Sequence, residues 1–231
     1  MGAFKCPTIP TGFETLDDAL PGRGWPTGCI SEVLQAQAAV CEWRLLSRAL
    51  TSLLTKKGSC LYLVAPPKKP YAMGLMQLGV RPEQLVWIDA KGSADRLWVT
   101  EQLVKADPVG AVLAWLPQAR AEQIRRLQVH AHSCGAPVFL FRPETALRDN
   151  SPAPLRLLVK PGPGWHIDVQ VCKRRGSVLD DVLHLSAMPS SLDFVIPPRL
   201  RTLTPQQAND LEVTHAVGRF ATHTDPVRVV N

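Results

Sequence analysis

Short apolar runs alternate with longer stretches of helical periodicity through most of the chain, a pattern that predicts an α/β sheet protein. GCISEVL (28–34) reads as the first core strand. From Glu42 to Leu54, the residues Leu46, Ala49, Leu50, Leu53 and Leu54 recur at helical spacing. Lys56, Lys57 and Gly58 then supply C-terminal cations and a C′ glycine. CLYLVA (60–65) is a continuous apolar strand stopped by Pro66 and Pro67, and Pro70 opens a short helix that Gly79 closes. LVWID (85–89) is a third strand. Ser93 is read as the N-cap of a helix running to about Lys105. AVLAWL (111–116) makes a fourth strand, ended by Pro117. Ile124, Leu127, Gln128 and Ala131 share one face of a helix within 119–133, and VFLF (138–141) is a fifth strand.

Residues 142–154 (RPETALRDNSPAP) are rich in proline and polar side chains and read as a loop. LRLLVK and WHIDVQVCK follow, joined by Pro161, Gly162, Pro163 and Gly164. Ile167, Val169 and Val171 alternate with polar residues, so this pair is an antiparallel hairpin exposed on one face. The expected architecture is a largely parallel β-sheet flanked by helices and extended at one edge by that hairpin, within a core domain of residues 1–196. A tail over 197–231 follows the Pro197–Pro198 break. In it Thr204 and Pro205 start a helix whose stripe is Val213, Ala216, Val217 and Phe220. That stripe either packs on its own core or docks a partner helix-in-groove.

At 231 residues, with 45% hydrophobic and 20% charged side chains, the chain can build one full core. Its N-terminus, MGAFKCPTIPTG, has no apolar run behind a basic one, and no stretch approaches the ~18 apolar residues of a spanning helix. A soluble, cytoplasmic protein is expected, with no membrane contact. Six cysteines are scattered without metal-ligand spacing, so no metal is expected and the thiols read as buried. Net charge is +6. Residues 142–175 carry +4, whereas 1–141 also carry +4 over four times the length, and the remainder is −2. The positive charge is concentrated in Lys173, Arg174 and Arg175 together with Arg142, Arg148, Arg156 and Lys160. An anionic partner surface explains this better than a solvated strand end does, and an acidic protein satisfies it as well as DNA. Trp165 is the one aromatic near the cluster, so any single-stranded DNA contact is expected to be weak.

IPTGFETLDDALPGRGWPTGCISEVL resembles the opening of the RecA recombinase core, which leads through a strand into a phosphate-binding loop. Such a loop needs G-x-x-x-x-G-K-[ST], but here the position reads Gln35, Ala36, Gln37, Ala38, Ala39, Val40, Cys41, Glu42. Both glycines, the lysine and the hydroxyl are missing. The fourth strand ends in Ala114 and Trp115 where a Walker-B acid should stand, and Pro66–Pro67 replaces the catalytic glutamate. A degenerate P-loop, no cofactor and no enzymatic activity are expected, which disfavours a DNA-dependent ATPase or recombinase. Glu32, in the first strand, reads as structural.

TGFETLDDALPGRGWPTG, VAPPKKPYA, VGAVLAWLP, the RRLQ to GAPVFLFRP segment and VCKRRG together resemble the RecA-derived ImuA family, with the SulA cell-division inhibitors as smaller relatives. The resemblance implies an accessory role in SOS-induced translesion synthesis and mutagenesis. The partners it implies are an ImuB-like inactive polymerase homologue, RecA and an error-prone DnaE-type polymerase. A SulA-like inhibitor of the tubulin-like division protein is the alternative.

Overall fold

The computed structural model describes residues 6–176, 179 and 181–189. The sequence-read tail helix (Val213, Ala216, Val217, Phe220) lies outside the described residues. A small antiparallel pair, β1 (Thr8–Ile9) and β2 (Trp25–Pro26), brackets helix α1 (Glu14–Ala19). The main sheet is built from β3 (Ile30–Gln35), β4 (Cys60–Val64), β5 (Leu85–Ile88), β6 (Gly110–Trp115), β7 (Val138–Pro143), β8 (Leu155–Pro161), β9 (His166–Lys173) and β10 (Val182–Ser186). Its spatial order is β10-β9-β8-β3-β7-β6-β4-β5. The six strands from β8 to β5 are parallel, and β9 and β10 continue the sheet in antiparallel pairing.

Every residue of β3 is buried, because it lies between β7 and β8 and both sheet faces above it are covered. On one face, α1, α2 (Glu42–Leu53) and α3 (Ala72–Gln77) bring Leu16, Leu46, Leu50 and Leu75 against Val33, Leu113 and Phe139. On the other, α4 (Ser93–Lys105) and α5 (Ala121–Ala131) bring Leu97, Val104, Ile124 and Leu127 against Ile30, Val112 and Leu140. The buried face of α5 is Ile124, Leu127, Gln128 and Ala131, as its periodicity indicates. Gln128 is polar there for a reason: its Oε1 accepts the Ile30 N–H at 2.9 Å, capping the start of the central strand.

The antiparallel hairpin forms as the alternation predicts, with Val159 opposite Val169 and with Ile167, Val169 and Val171 buried. Other details depart from the sequence reading. Gly92 is the N-cap of α4 and Ser93 its first helical residue, without a side-chain cap. α2 ends at Leu54 in right-handed geometry, so Gly58 is not its C′ residue; its φ of +79° serves the turn into β4. Arg142 and Pro143 extend β7 instead of starting a loop, and Glu144–Arg148 wind into a 3₁₀ turn. β10 was not anticipated, because an edge strand of five residues with alternate polar positions carries little signal. Among the described residues no helix is long and apolar enough to cross a membrane.

α4 and α5 are tied together by Glu101, which pairs with Lys105 at 2.7 Å and with Arg126 at 2.8 Å. The Lys105 hydrogen bond, helped by Arg126 and His130, holds this carboxyl below the usual carboxylate range despite its burial. A depressed folded pKa stabilises at pH values above the unfolded pKa of about 4.3, and that contribution disappears as pH falls through the folded value. Urea unfolding between pH 6 and pH 3 is therefore expected to show a loss of stability that Glu101→Gln diminishes. An identical pH profile for that variant would remove Glu101 from the account.

Candidate functional site

β3, β6 and β7 end side by side at one edge of the parallel sheet, where open α/β proteins bind ligands. A cleft of about 460 Å³ lies there, with Gln35, Ala38, Pro66, Pro67 and Trp115 in its wall. The loop between β3 and α2 forms one side. Within it Ala39 takes the left-handed φ of +68°, a conformation that costs a non-glycine residue about 1 kcal/mol. That turn brings the Ala39 N–H onto Glu42, the first residue of α2.

Glu42 is 1% exposed. One carboxylate oxygen, Oε1, accepts three hydrogen bonds: from Gln35 Nε2 at 2.6 Å, from the Ala39 N–H at 2.7 Å and from Trp115 Nε1 at 2.9 Å. Trp115 is fixed in turn by stacking on Phe141, with ring centroids 4.7 Å apart. A carboxylate in the first turn of α2 also meets the positive end of the helix dipole. The protein thus fills its own anion-favouring position with a side chain. Two arginines also stand on the cleft wall. Arg96 Nε donates to Ala90 O, and Arg142 is held by Glu32. Glu42 Oε2 and Gln35 Oε1 have no donor among the described residues, a residual cost of holding a carboxylate inside.

Next to this edge, on the α4–α5 face of the sheet, lies a buried ion network. Glu32 is fully buried and accepts Arg142 Nη1 on Oε1 and Arg156 Nε on Oε2, each at 2.6 Å. Register puts Arg156 directly opposite Glu32 on the neighbouring strand. Arg142 also donates to Ala119 O and Asp149 Oδ2, and Arg156 to Asp149 O and Ala146 O. Glu32 is therefore structural, as read from the sequence, and its partners are two of the arginines grouped with the partner-facing cluster. That grouping needs correcting: Arg142 and Arg156 are 5% and 6% exposed and hold the 144–149 turn onto the sheet. Burial of an acid in a central strand was the available clue, since a buried carboxylate must find a counter-charge.

Of the remaining basic residues, Lys160, Lys173, Arg174 and Arg175 each have their own contacts. Lys160 lies opposite Asp168 and pairs with Glu144 at 3.0 Å, while Lys173 lies opposite Arg156 towards the other end of the same strand pair. Lys173 Nζ donates to Ser151 O, Arg174 Nη1 to Ala19 O, and Arg175 Nη1 to Cys6 Sγ at 3.6 Å. Arg148 is exposed at the end of the 3₁₀ turn. Trp165 packs under the Arg44 guanidinium, 5.3 Å from the ring centroid, and Arg44 Nη1 donates to Gly164 O. It anchors the hairpin turn to α2. Among the described residues no group of three or more His, Cys, Asp or Glu could hold a metal ion.

No family model matches the chain. Two curated proteins named ImuA, from two strains of Caulobacter vibrioides, are each 26% identical to it over 133 residues. A cell division inhibitor SulA from Photorhabdus laumondii is 26% identical over 115 residues. The chain is thus similar to proteins named ImuA and, over a shorter stretch, to one named SulA. The ImuA matches take in 56% of this chain and 54% of the relatives, so the chain spans about half the length of the curated ImuA proteins it matches. The SulA match takes in 48% of this chain and 65% of that protein.

Proposed function

We propose that this chain is a non-catalytic, RecA-like accessory protein of SOS-linked mutagenesis that works through protein contacts and not through nucleotide hydrolysis. The observation that carries the reading is Glu42. At the end of the strand where a RecA-like ATPase would cradle phosphate on backbone amides and a lysine, a buried carboxylate takes up the loop amide. A phosphate entering there would meet the like charge of Glu42. The similarity to ImuA supplies the process, and the partners are an ImuB-like polymerase homologue and RecA, with an error-prone DnaE-type polymerase in the same assembly. The match to SulA supports a second reading, inhibition of cell division through the tubulin-like division protein. A pull-down with purified ImuB-like protein, RecA and the division protein separates the two. Retention of the first two upholds the mutagenesis role, and retention of the division protein alone replaces it.

Direct contact with single-stranded DNA, in this reading, is weak and centred on Lys173, Arg174 and Arg175. Because phosphate contacts release counterions, affinity falls with salt with a log–log slope of roughly −0.7 per phosphate on single strands. Changing all three residues to alanine is expected to flatten that slope in fluorescence-anisotropy titrations. An unchanged slope would assign these side chains to packing the β9 end against Ala19 and Cys6.

A further inference from the structure

Cys6 and Cys29 are 23 positions apart in sequence and meet beside the β1–β2 pair. The pairing of Thr8 with Pro26 and Ile9 with Trp25 runs the two segments antiparallel. The Thr27 N–H and Oγ1 both bond to Pro7 O, at 2.8 Å and 3.2 Å. That clamp brings Cys6 beside the Gly28–Cys29 segment. Cys6 and Cys29 share a mainly apolar cavity of about 290 Å³, whose wall also includes Pro21, Leu155, Arg174 and Arg175.

We propose that Cys6 and Cys29 form a redox-modified dithiol site, which a peroxide converts to a reversible intramolecular disulfide that fastens the amino-terminal segment to the start of β3.

The two sulfurs have different surroundings, and these assign their roles. Cys6 is half-buried, so a small oxidant can reach it, and its Sγ receives the Arg175 guanidinium. Cys29 is 3% exposed, and burial first, then the neighbouring Cys6, push its thiol up to about 12 against the opposing pull of Arg175. Cys6 is therefore the sulfur that meets the oxidant and Cys29 the one that resolves it. The Cys6 thiolate attacks the peroxide and breaks its O–O bond, giving Cys6 sulfenic acid and a hydroxide that is protonated to water. The Cys29 sulfur then attacks the Cys6 sulfur. Its proton leaves with the departing hydroxyl as a second water, and the S–S bond forms. Two thiols are oxidised to a disulfide, and one peroxide is reduced to two waters. Cys41 and Cys134 are also deeply buried, but each has a carboxylate neighbour, Glu42 and Asp107, and neither lines the cavity that Cys6 and Cys29 share.

The test treats the full chain with hydrogen peroxide and follows intact mass and tryptic peptides. The expected product has lost the mass of two hydrogens, regains it with dithiothreitol, and yields a link between peptides 6–23 and 24–44. The second peptide contains both Cys29 and Cys41, so fragmentation must place the link at Cys29. Cys6→Ser, a change at a half-buried position, is expected to abolish the linked species. Cys29→Ala is expected to leave a Cys6 sulfenic acid that dimedone traps. If the folded protein, checked by circular dichroism, gains oxygen without losing two hydrogens, or if the link maps to Cys41, the dithiol assignment is overturned.

Discussion

Glu32→Ala is expected to cost about 3–5 kcal/mol, a large share of the stability of an ordinary domain. Glu32 is the one carboxylate that neutralises both Arg142 and Arg156 inside the sheet, and its removal leaves two nearly buried guanidiniums against an apolar side chain. Glu32→Gln is expected to be costly too, because an amide keeps the shape and one acceptor but supplies no counter-charge. The contrast that isolates the mechanism is a triple apolar replacement, Glu32→Leu with Arg142→Met and Arg156→Met. Removing all three charges together recovers stability relative to Glu32→Ala, since no ion is left desolvated and alone. Urea unfolding followed by circular dichroism measures all three. A loss under about 1 kcal/mol for Glu32→Ala would mean that the arginines reach water when their partner is removed.

Glu42→Ala carries the second large effect, about 3 kcal/mol. The Ala39 N–H, the Gln35 carboxamide and the Trp115 indole N–H all lose their acceptor at once, and a buried donor left unmade costs roughly 1–3 kcal/mol. The first turn of α2 also loses its acid, a further contribution of about 0.3–1 kcal/mol. Relief of the unpartnered Oε2 offsets part of the sum. Glu42→Gln keeps an acceptor at Oε1 and is expected to cost clearly less. That order, alanine worse than glutamine, distinguishes a carboxylate that organises the loop from a solvated one, for which both changes would stay within about 0.5 kcal/mol.

The local signals in the sequence served well where the deciding forces were local. The 3.6-residue spacing on α5 and the alternation on β9 each selected the buried face correctly, because period alone determines which side chains point at the sheet. Gly79, at φ +82°, closes α3 with bonds from Gly79 and Val80 N–H back to Met76 and Leu75, as a left-handed C′ glycine should. The charged interior was not legible in this way. Glu32 meets Arg142 and Arg156 across 110 and 124 residues, and only the strand order β8-β3-β7 brings them together. Counting charge in the 142–175 stretch therefore put two buried arginines on the surface. Glu42 was legible as one of the residues standing where the phosphate-binding motif should be. Its role as the loop's own acceptor was not, because that depends on a left-handed alanine and on a tryptophan 73 residues away.

The central claim is that the cleft at the ends of β3, β6 and β7 is closed to nucleotide by the protein's own carboxylate. Its most direct test is a titration of the purified chain with Mg-ATP, following the thermal unfolding midpoint, with phosphate release measured on the same samples with and without single-stranded DNA. A ligand that binds only the folded state must raise the midpoint, with the logarithm of its concentration once that exceeds its Kd. The account predicts an unchanged midpoint and no turnover. A midpoint that rises steadily with Mg-ATP concentration, or turnover that vanishes when residues 35–42 are substituted, would contradict it.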